Sequence, residues 1–134
     1  MNTITDSPET LRAQMVEPIT AAGWAHTARV AEAMRTVPRH LFVPDAPLTE
    51  AYNDQAVIIK GGPDGRALSC ASEPIVVAMM LDQLDVHPGQ NVLEVGAGTV
   101  YRARTLVALR VSCGFAVWVD DAGVVFRLVY LALV

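Results

Sequence analysis

The chain has 134 residues, 52% of them hydrophobic and 18% charged, with a formal net charge of −4 at neutral pH. That size and apolar content fit one globular domain with a real core, short for a complete doubly wound sheet, and argue against disorder. The acidic balance offers no basic footprint for nucleic acid, and Arg110, Asp120, Asp121 and Arg127 interrupt the C-terminal apolar part before it reaches the length of a membrane span.

The N-terminus is polar and carries Asp6 and Glu9, unlike a secretory signal. Cys70 and Cys113 lie far apart without metal-ligand spacing, so a reduced, cytoplasmic setting is expected. Ser7-Pro8-Glu9 predicts a helix start, with Asp6 or Ser7 as cap, Pro8 in the first turn and Glu9 at the positive end of the dipole. Leu11, Met15 and Ile19 recur every fourth residue as one apolar stripe, and Gly23 ends the element. Pro18 is expected to kink or shorten it. A second helix is expected over about 27–37, burying Val30, Ala31 and Met34 and stopped by Pro38.

Between Pro38 and Ala71 the sequence reads as mostly irregular, because Pro38, Pro44, Pro47, Gly61, Gly62, Pro63 and Gly65 punctuate it. A short extended piece is expected over 56–60, and a loop this long in a compact domain is functional or mobile. Ser72, as N-cap, starts a third helix reaching about Asp85, with apolar faces from Ile75, Ala78, Met79 and Leu81. His87-Pro88-Gly89-Gln90 turns into a strand over 91–95, and a helix over 101–110 with a strand over 115–119 completes a strand–helix–strand unit. Residues 122–134 are nearly continuous apolar sequence broken by Arg127, fit for one or two further strands with no following helix to cover them.

Chemistry concentrates in Asn91-Val92-Leu93-Glu94-Val95-Gly96-Ala97-Gly98-Thr99. It reads as a buried strand ending in a carboxylate, then a tight turn that opens into a helix with free N–H groups. A dinucleotide site needs a third glycine where Tyr101 stands, so a nicotinamide oxidoreductase is disfavoured. S-adenosylmethionine carries a sulfonium and an ammonium and no pyrophosphate, and Glu94 suits it. An ordinary strand–turn–helix is the alternative at Gly96 and Gly98. Val100 stands where a last glycine of the pattern is expected; a β-branched residue disfavours positive φ and crowds a cofactor. His26, His40 and His87 are not clustered in sequence, so no metal site is expected. Met79 and Met80 read as core, and Trp24 and Trp118 as packing residues.

Four pieces in order carry a family resemblance: Val37-Pro38-Arg39-His40-Leu41-Phe42-Val43-Pro44, Ala51-Tyr52-Asn53-Asp54-Gln55-Ala56, Ser72-Glu73-Pro74, and 92–99 of the glycine turn. Together the chain resembles the protein-L-isoaspartate O-methyltransferase family, well over residues 25–99. Ala67-Leu68-Ser69-Cys70-Ala71-Ser72-Glu73-Pro74 is most similar to a branch found with FxLD-type peptide-modification systems. The match degrades at Val100, which leads us to expect a truncated or frame-shifted copy after about residue 99. A catalytically inactive fragment that binds cofactor or a partner weakly is the rival reading.

The resemblance implies an α/β class: N-terminal helices and loops over 1–71, then the start of a Rossmann-like S-adenosylmethionine-binding domain over 72–134, with an incomplete sheet. It implies methyl transfer to an aspartyl or isoaspartyl carboxylate of a peptide or protein. Ser72 would orient the acceptor carboxylate, with a plain helix cap as the alternative. Glu94 would orient the cofactor's amino-acid end, the alternative being a solvated strand-end carboxylate. Gly96, Ala97 and Gly98 would lie along the cofactor. Asp120, with Asp121 as fallback, would take the ribose hydroxyls, against a solvated turn. Asn53, Asp54 and Gln55 match a segment near the substrate cleft, against a polar surface loop. The acceptor's identity and the oligomeric state stay open.

Overall fold

The computed structural model describes residues 6–96, 98–110, 112–117 and 127–131. Helix α1 spans Pro8–Ala21, and the Ser7 hydroxyl accepts from the Thr10 N–H at 3.2 Å, as a capping residue should. Pro18 stays inside the helix without breaking it: Ala22 N–H still donates to the Pro18 carbonyl, and the helix ends three residues later. So near a C-terminus, proline forfeits one bond of the ladder and little else. Gly23 and Trp24 close the end by donating to the Thr20 and Ile19 carbonyls. The inner face buries Met15, Val16 and Ile19.

Helix α2, Ala28–Thr36, begins at Thr27, whose hydroxyl accepts weakly from Val30 N–H. It buries Val30, Ala31, Ala33 and Met34. A 3-10 turn over Arg39–Phe42 and a short helix α3, Leu48–Tyr52, follow. Strands β1, Val57–Gly61, and β2, Ala67–Ala71, then form an antiparallel hairpin with irregular register around Lys60. The region expected to be irregular therefore holds a helix, a second strand and a 3-10 turn. Each is only four or five residues long, too short for a periodic pattern to rise above the prolines and glycines at its ends.

Helix α4, Pro74–Leu84, packs Val77, Ala78 and Leu81 into the common core, which also takes Val16 and Met34 from the first two helices and Ala103 and Leu106 from α5, Tyr101–Ala108. Strand β3, Asn91–Val95, runs parallel to β4, Ser112–Val117, with α5 as the crossover, and β5, Arg127–Leu131, returns antiparallel to β4. The sheet order is β3–β4–β5. The expected buried strand is buried on one side only: Leu93 and Val95 are 62% and 70% exposed, while Val92 and Glu94 face inward. Successive side chains point to opposite faces, and β3 has a strand neighbour on one edge only among the described residues.

One polar tie secures α4 to the α1–α2 turn. Asp82 accepts from the Thr27 hydroxyl at 2.7 Å, from Thr27 N–H at 3.2 Å and from His26 N–H, so one carboxylate satisfies donors at the start of α2 from 55 residues away. Hydrogen bonds to a charged group contribute about 2 kcal/mol. Asp82→Ala should lower the unfolding free energy by roughly that amount, read by urea titration. An unchanged midpoint and slope would show that water serves the same donors equally well.

Candidate functional site

Three segments converge on one narrow cleft of about 30 Å³: the end of β2 with Ser72, the turn after β3, and the first turn of α5. Its lining includes Arg39, Ser72, Gly96, Gly98, Tyr101 and Arg102. The space is on the scale of one or two water molecules. Gly96 and Gly98 take φ of +73° and +56°, the left-handed region. A Cβ on Gly96 would meet open space and one on Gly98 only an ordinary contact, so it is backbone conformation that calls for glycine at both positions. Val100 also sits at φ +67°, as the cap residue of α5. The strain expected of a β-branched residue there is real, and its side chain packs against the core in partial compensation.

Glu94 turns its side chain inward, 9% exposed, beneath the turn. One oxygen receives Arg102 Nε at 2.6 Å, and the other, Oε2, is buried with no partner among the described residues. Burial pushes its pKa up from the usual carboxylate value, and the Arg102 charge pulls it part of the way back. The solvated strand-end carboxylate is thereby excluded: Glu94 is held out of water.

Sequence reasoning did not single out Arg39 as a functional residue. It is 1% exposed and donates from Nε to the Ala51 carbonyl and from Nη2 to the Ser72 carbonyl, both at 2.8 Å. Its guanidinium lies over the Tyr101 ring at 5.0 Å. Burial pushes the Tyr101 phenol up to about 12, so the ring under the cation stays neutral. The signal was an arginine between Pro38 and His40 in an otherwise apolar stretch, and nothing local distinguishes it from a surface residue.

Ser72 lies in the cleft, half-buried, but it does not cap α4. The capping position belongs to Glu73, which makes no side-chain bond, and the carboxylate that serves the helix start is Asp54, accepting from Ile75 N–H at 3.0 Å. The Ser72 hydroxyl has no hydrogen-bond partner among the described residues, while its carbonyl is fixed by Arg39. Asn53, Asp54 and Gln55 do not line this cleft. Asn53 and Gln55 line an open hollow of about 520 Å³ beside β1, and Asn53 and Asp54 border an apolar groove of about 430 Å³ between α1 and α3. Ala97, Trp118, Asp120 and Asp121 lie outside the described residues. Among those described, no group of three His, Cys, Asp or Glu side chains is placed to hold a metal, and no helix is long and apolar enough to cross a membrane.

A strand with a carboxylate next to its last residue, a left-handed glycine turn, a helix and a parallel return strand form a Rossmann-like strand–helix–strand unit. Solved structures share that fold. One described as a protein-L-isoaspartate O-methyltransferase superposes with a TM-score of 0.68 at 21% identity, covering 81% of this chain and 34% of that one. A Plasmodium falciparum structure of the same description, in complex with S-adenosyl-L-homocysteine, gives 0.65 at 20% identity, covering 82% of this chain and 50% of that one. In sequence, the family model for protein-L-isoaspartate(D-aspartate) O-methyltransferase matches residues 10–125. The chain belongs to that family. A protein-L-isoaspartate O-methyltransferase of Methylorubrum extorquens is 43% identical over 101 residues, which are 75% of this chain and 42% of the relative. One of Methanopyrus kandleri is 43% identical over 98 residues, covering 73% and 41%. The chain thus spans about two fifths of the length of these relatives.

The burial of Glu94 carries a pH signature. A carboxyl whose folded pKa is raised gains stability as pH falls through that raised value, and the gain is complete below its unfolded value. Ionised Glu94 therefore costs stability at neutral pH. Glu94→Gln should raise the thermal midpoint at pH 7, with the advantage shrinking as pH falls through the raised pKa and largely gone near pH ~4. An advantage that persists unchanged at low pH would place the cause elsewhere than in the charge.

Proposed function

We propose that this chain works as an S-adenosylmethionine-dependent methyltransferase that esterifies an aspartyl or isoaspartyl carboxylate of a peptide or protein. One observation carries the reading: a buried carboxylate with an unpartnered oxygen precedes a left-handed glycine turn and is paired with Arg102, which lines the same cleft as Ser72. Those residues fit the cofactor. An orphaned Oε2 wants a donor, and an ammonium is one; the turn keeps Cβ atoms away from the ligand's path. Family membership and the S-adenosyl-L-homocysteine complex of the Plasmodium falciparum neighbour support the same choice.

When bound, the cofactor supplies an electrophilic methyl group on a sulfonium. Glu94 would accept hydrogen bonds from its amino-acid end, Gly96, Ala97 and Gly98 would lie along it, and Asp120 would take the ribose hydroxyls. Ser72 would donate a hydrogen bond to the acceptor carboxylate and aim it for in-line displacement. Residues 1–71 would shape the acceptor side, with Asn53, Asp54 and Gln55 on its rim, and 72–134 the cofactor side. A carboxylate is already ionised at neutral pH, so no strong base is required. The protein's task is alignment and exclusion of water. The resulting ester invites attack by the adjoining backbone amide and closure to a succinimide. Within the family, the stretch 67–74, carried by β2 and the lead into α4, supports the FxLD branch. The free, exposed Cys70 is in keeping with a cytoplasmic setting.

The test is mass spectrometry of an isoaspartyl peptide, its aspartyl twin and an FxLD-type precursor peptide, each incubated with the chain and S-adenosylmethionine. A methyl ester on at least one is expected, and none on any would overturn the activity. Ser72→Ala should cut turnover roughly tenfold to a hundredfold, the worth of a bond to a charged group, with S-adenosylhomocysteine affinity unchanged. A parallel loss of affinity would mean that Ser72 acts through the fold.

A further inference from the structure

Arg102 stands on the second residue of α5 and reaches back over the glycine turn to Glu94. Its Nε occupies Glu94 Oε1 at 2.6 Å, and its Nη1 rests on the Met80 sulfur at 3.2 Å. The Arg102 side chain is 27% exposed and lines the cleft, while Glu94 Oε2 is buried and unpartnered. A fork of five N–H donors is not exhausted by one carboxylate oxygen and one thioether, and an ionised carboxylate accepts about four hydrogen bonds. The two side chains thus present a cation and an anion side by side, each with capacity left over.

That pairing is the complement of one chemical group. An α-amino acid carries an ammonium and a carboxylate on a single carbon, and it would meet Glu94 Oε2 with the first and the Arg102 fork with the second. We propose that Arg102 is a ligand-binding, specificity-determining residue of this chain, one that reads the carboxylate of the cofactor's amino-acid end while Glu94 takes the ammonium. The inference rests on the cofactor assigned above. The Glu94–Arg102 pair survives binding in this arrangement, and only the cover over the buried Oε2 has to open. The opposite arrangement, in which Arg102 plugs Glu94 and must leave before a ligand enters, would break a short, partly buried ion pair and leave a buried charge without its partner.

Calorimetric titration distinguishes them, using S-adenosylhomocysteine and 5′-methylthioadenosine, which shares the thioether nucleoside and lacks the amino-acid end. Arg102→Gln should weaken S-adenosylhomocysteine about tenfold or more, the consequence of losing a charge-assisted bond, with 5′-methylthioadenosine unchanged. Arg102→Lys should recover part of the loss. Unchanged or tighter S-adenosylhomocysteine binding by Arg102→Gln overturns the inference and leaves the cofactor assignment standing. Equal loss of both ligands also overturns it, showing that Arg102 acts through the fold. If the wild-type chain binds no S-adenosylhomocysteine, the cofactor assignment falls and this inference with it.

Discussion

The buried guanidinium of Arg39 holds the structure's working parts together. A charge 1% exposed is tolerated only where most of its donors are satisfied and its desolvation is offset, and of the Arg39 nitrogens Nη1 alone is buried without a hydrogen-bond partner among the described residues. Here one donor goes to the carbonyl of Ala51 in α3, another to the carbonyl of Ser72, and the π-face of Tyr101 lies beneath. Those three points belong to three different regions: the N-terminal helical part, the approach to α4, and the first turn after the glycine loop. No apolar side chain of the same volume would fix the Ser72 backbone against the helix that opens beyond Gly98. The Tyr101 phenol stays neutral beneath the cation, so the contact is ring to cation, without a buried ion pair.

The second charged device, Glu94 with Arg102, shows the opposite economy. Its carboxylate is held out of water with one oxygen unserved, and burial raises its pKa, so the ionised form is costly to the fold. Arg102 limits that cost without removing it. A core built for stability alone would place an apolar residue at the inward position of β3, as it does at Val92. The same trade appears at Val100, a β-branched residue held at φ +67° where glycine would be relaxed. Strain and desolvation both gather in the few residues around the turn, and local departures from low energy concentrate where ligands bind.

Polar ties across long sequence separations do the remaining positioning. Asp82 satisfies the start of α2 and Asp54 the start of α4, so in each case a helix terminus is served by a carboxylate from a distant segment. At the head of α4 this arrangement leaves the Ser72 hydroxyl without an internal task. A serine that had to cap its own helix would be turned toward the N–H groups of that helix; relieved by Asp54, it remains in the cleft.

The helices with strong periodic stripes or clear stop signals, α1 and α2, were legible from sequence, as were the β3 strand, its carboxylate and its glycine turn, because each rests on contacts within a few residues. Pro18 was expected to kink or shorten α1, yet the helix carries it to Ala21, since its cost depends on how many turns follow it. The hairpin partner β2 and helix α3 escaped notice: five residues carry too little pattern, and pairing across the chain decides them. Sequence by itself determined the family, the outer helices, the strand–helix–strand unit and the identity of the turn, all encoded in residue type and local pattern. Only the tertiary structure decided that Ser72 is not a cap, that Asn53, Asp54 and Gln55 stand apart from the cleft, that Arg39 is the hub, and that Arg102 meets Glu94. These depend on which distant groups share a desolvated space, and burial is a property of the packed whole.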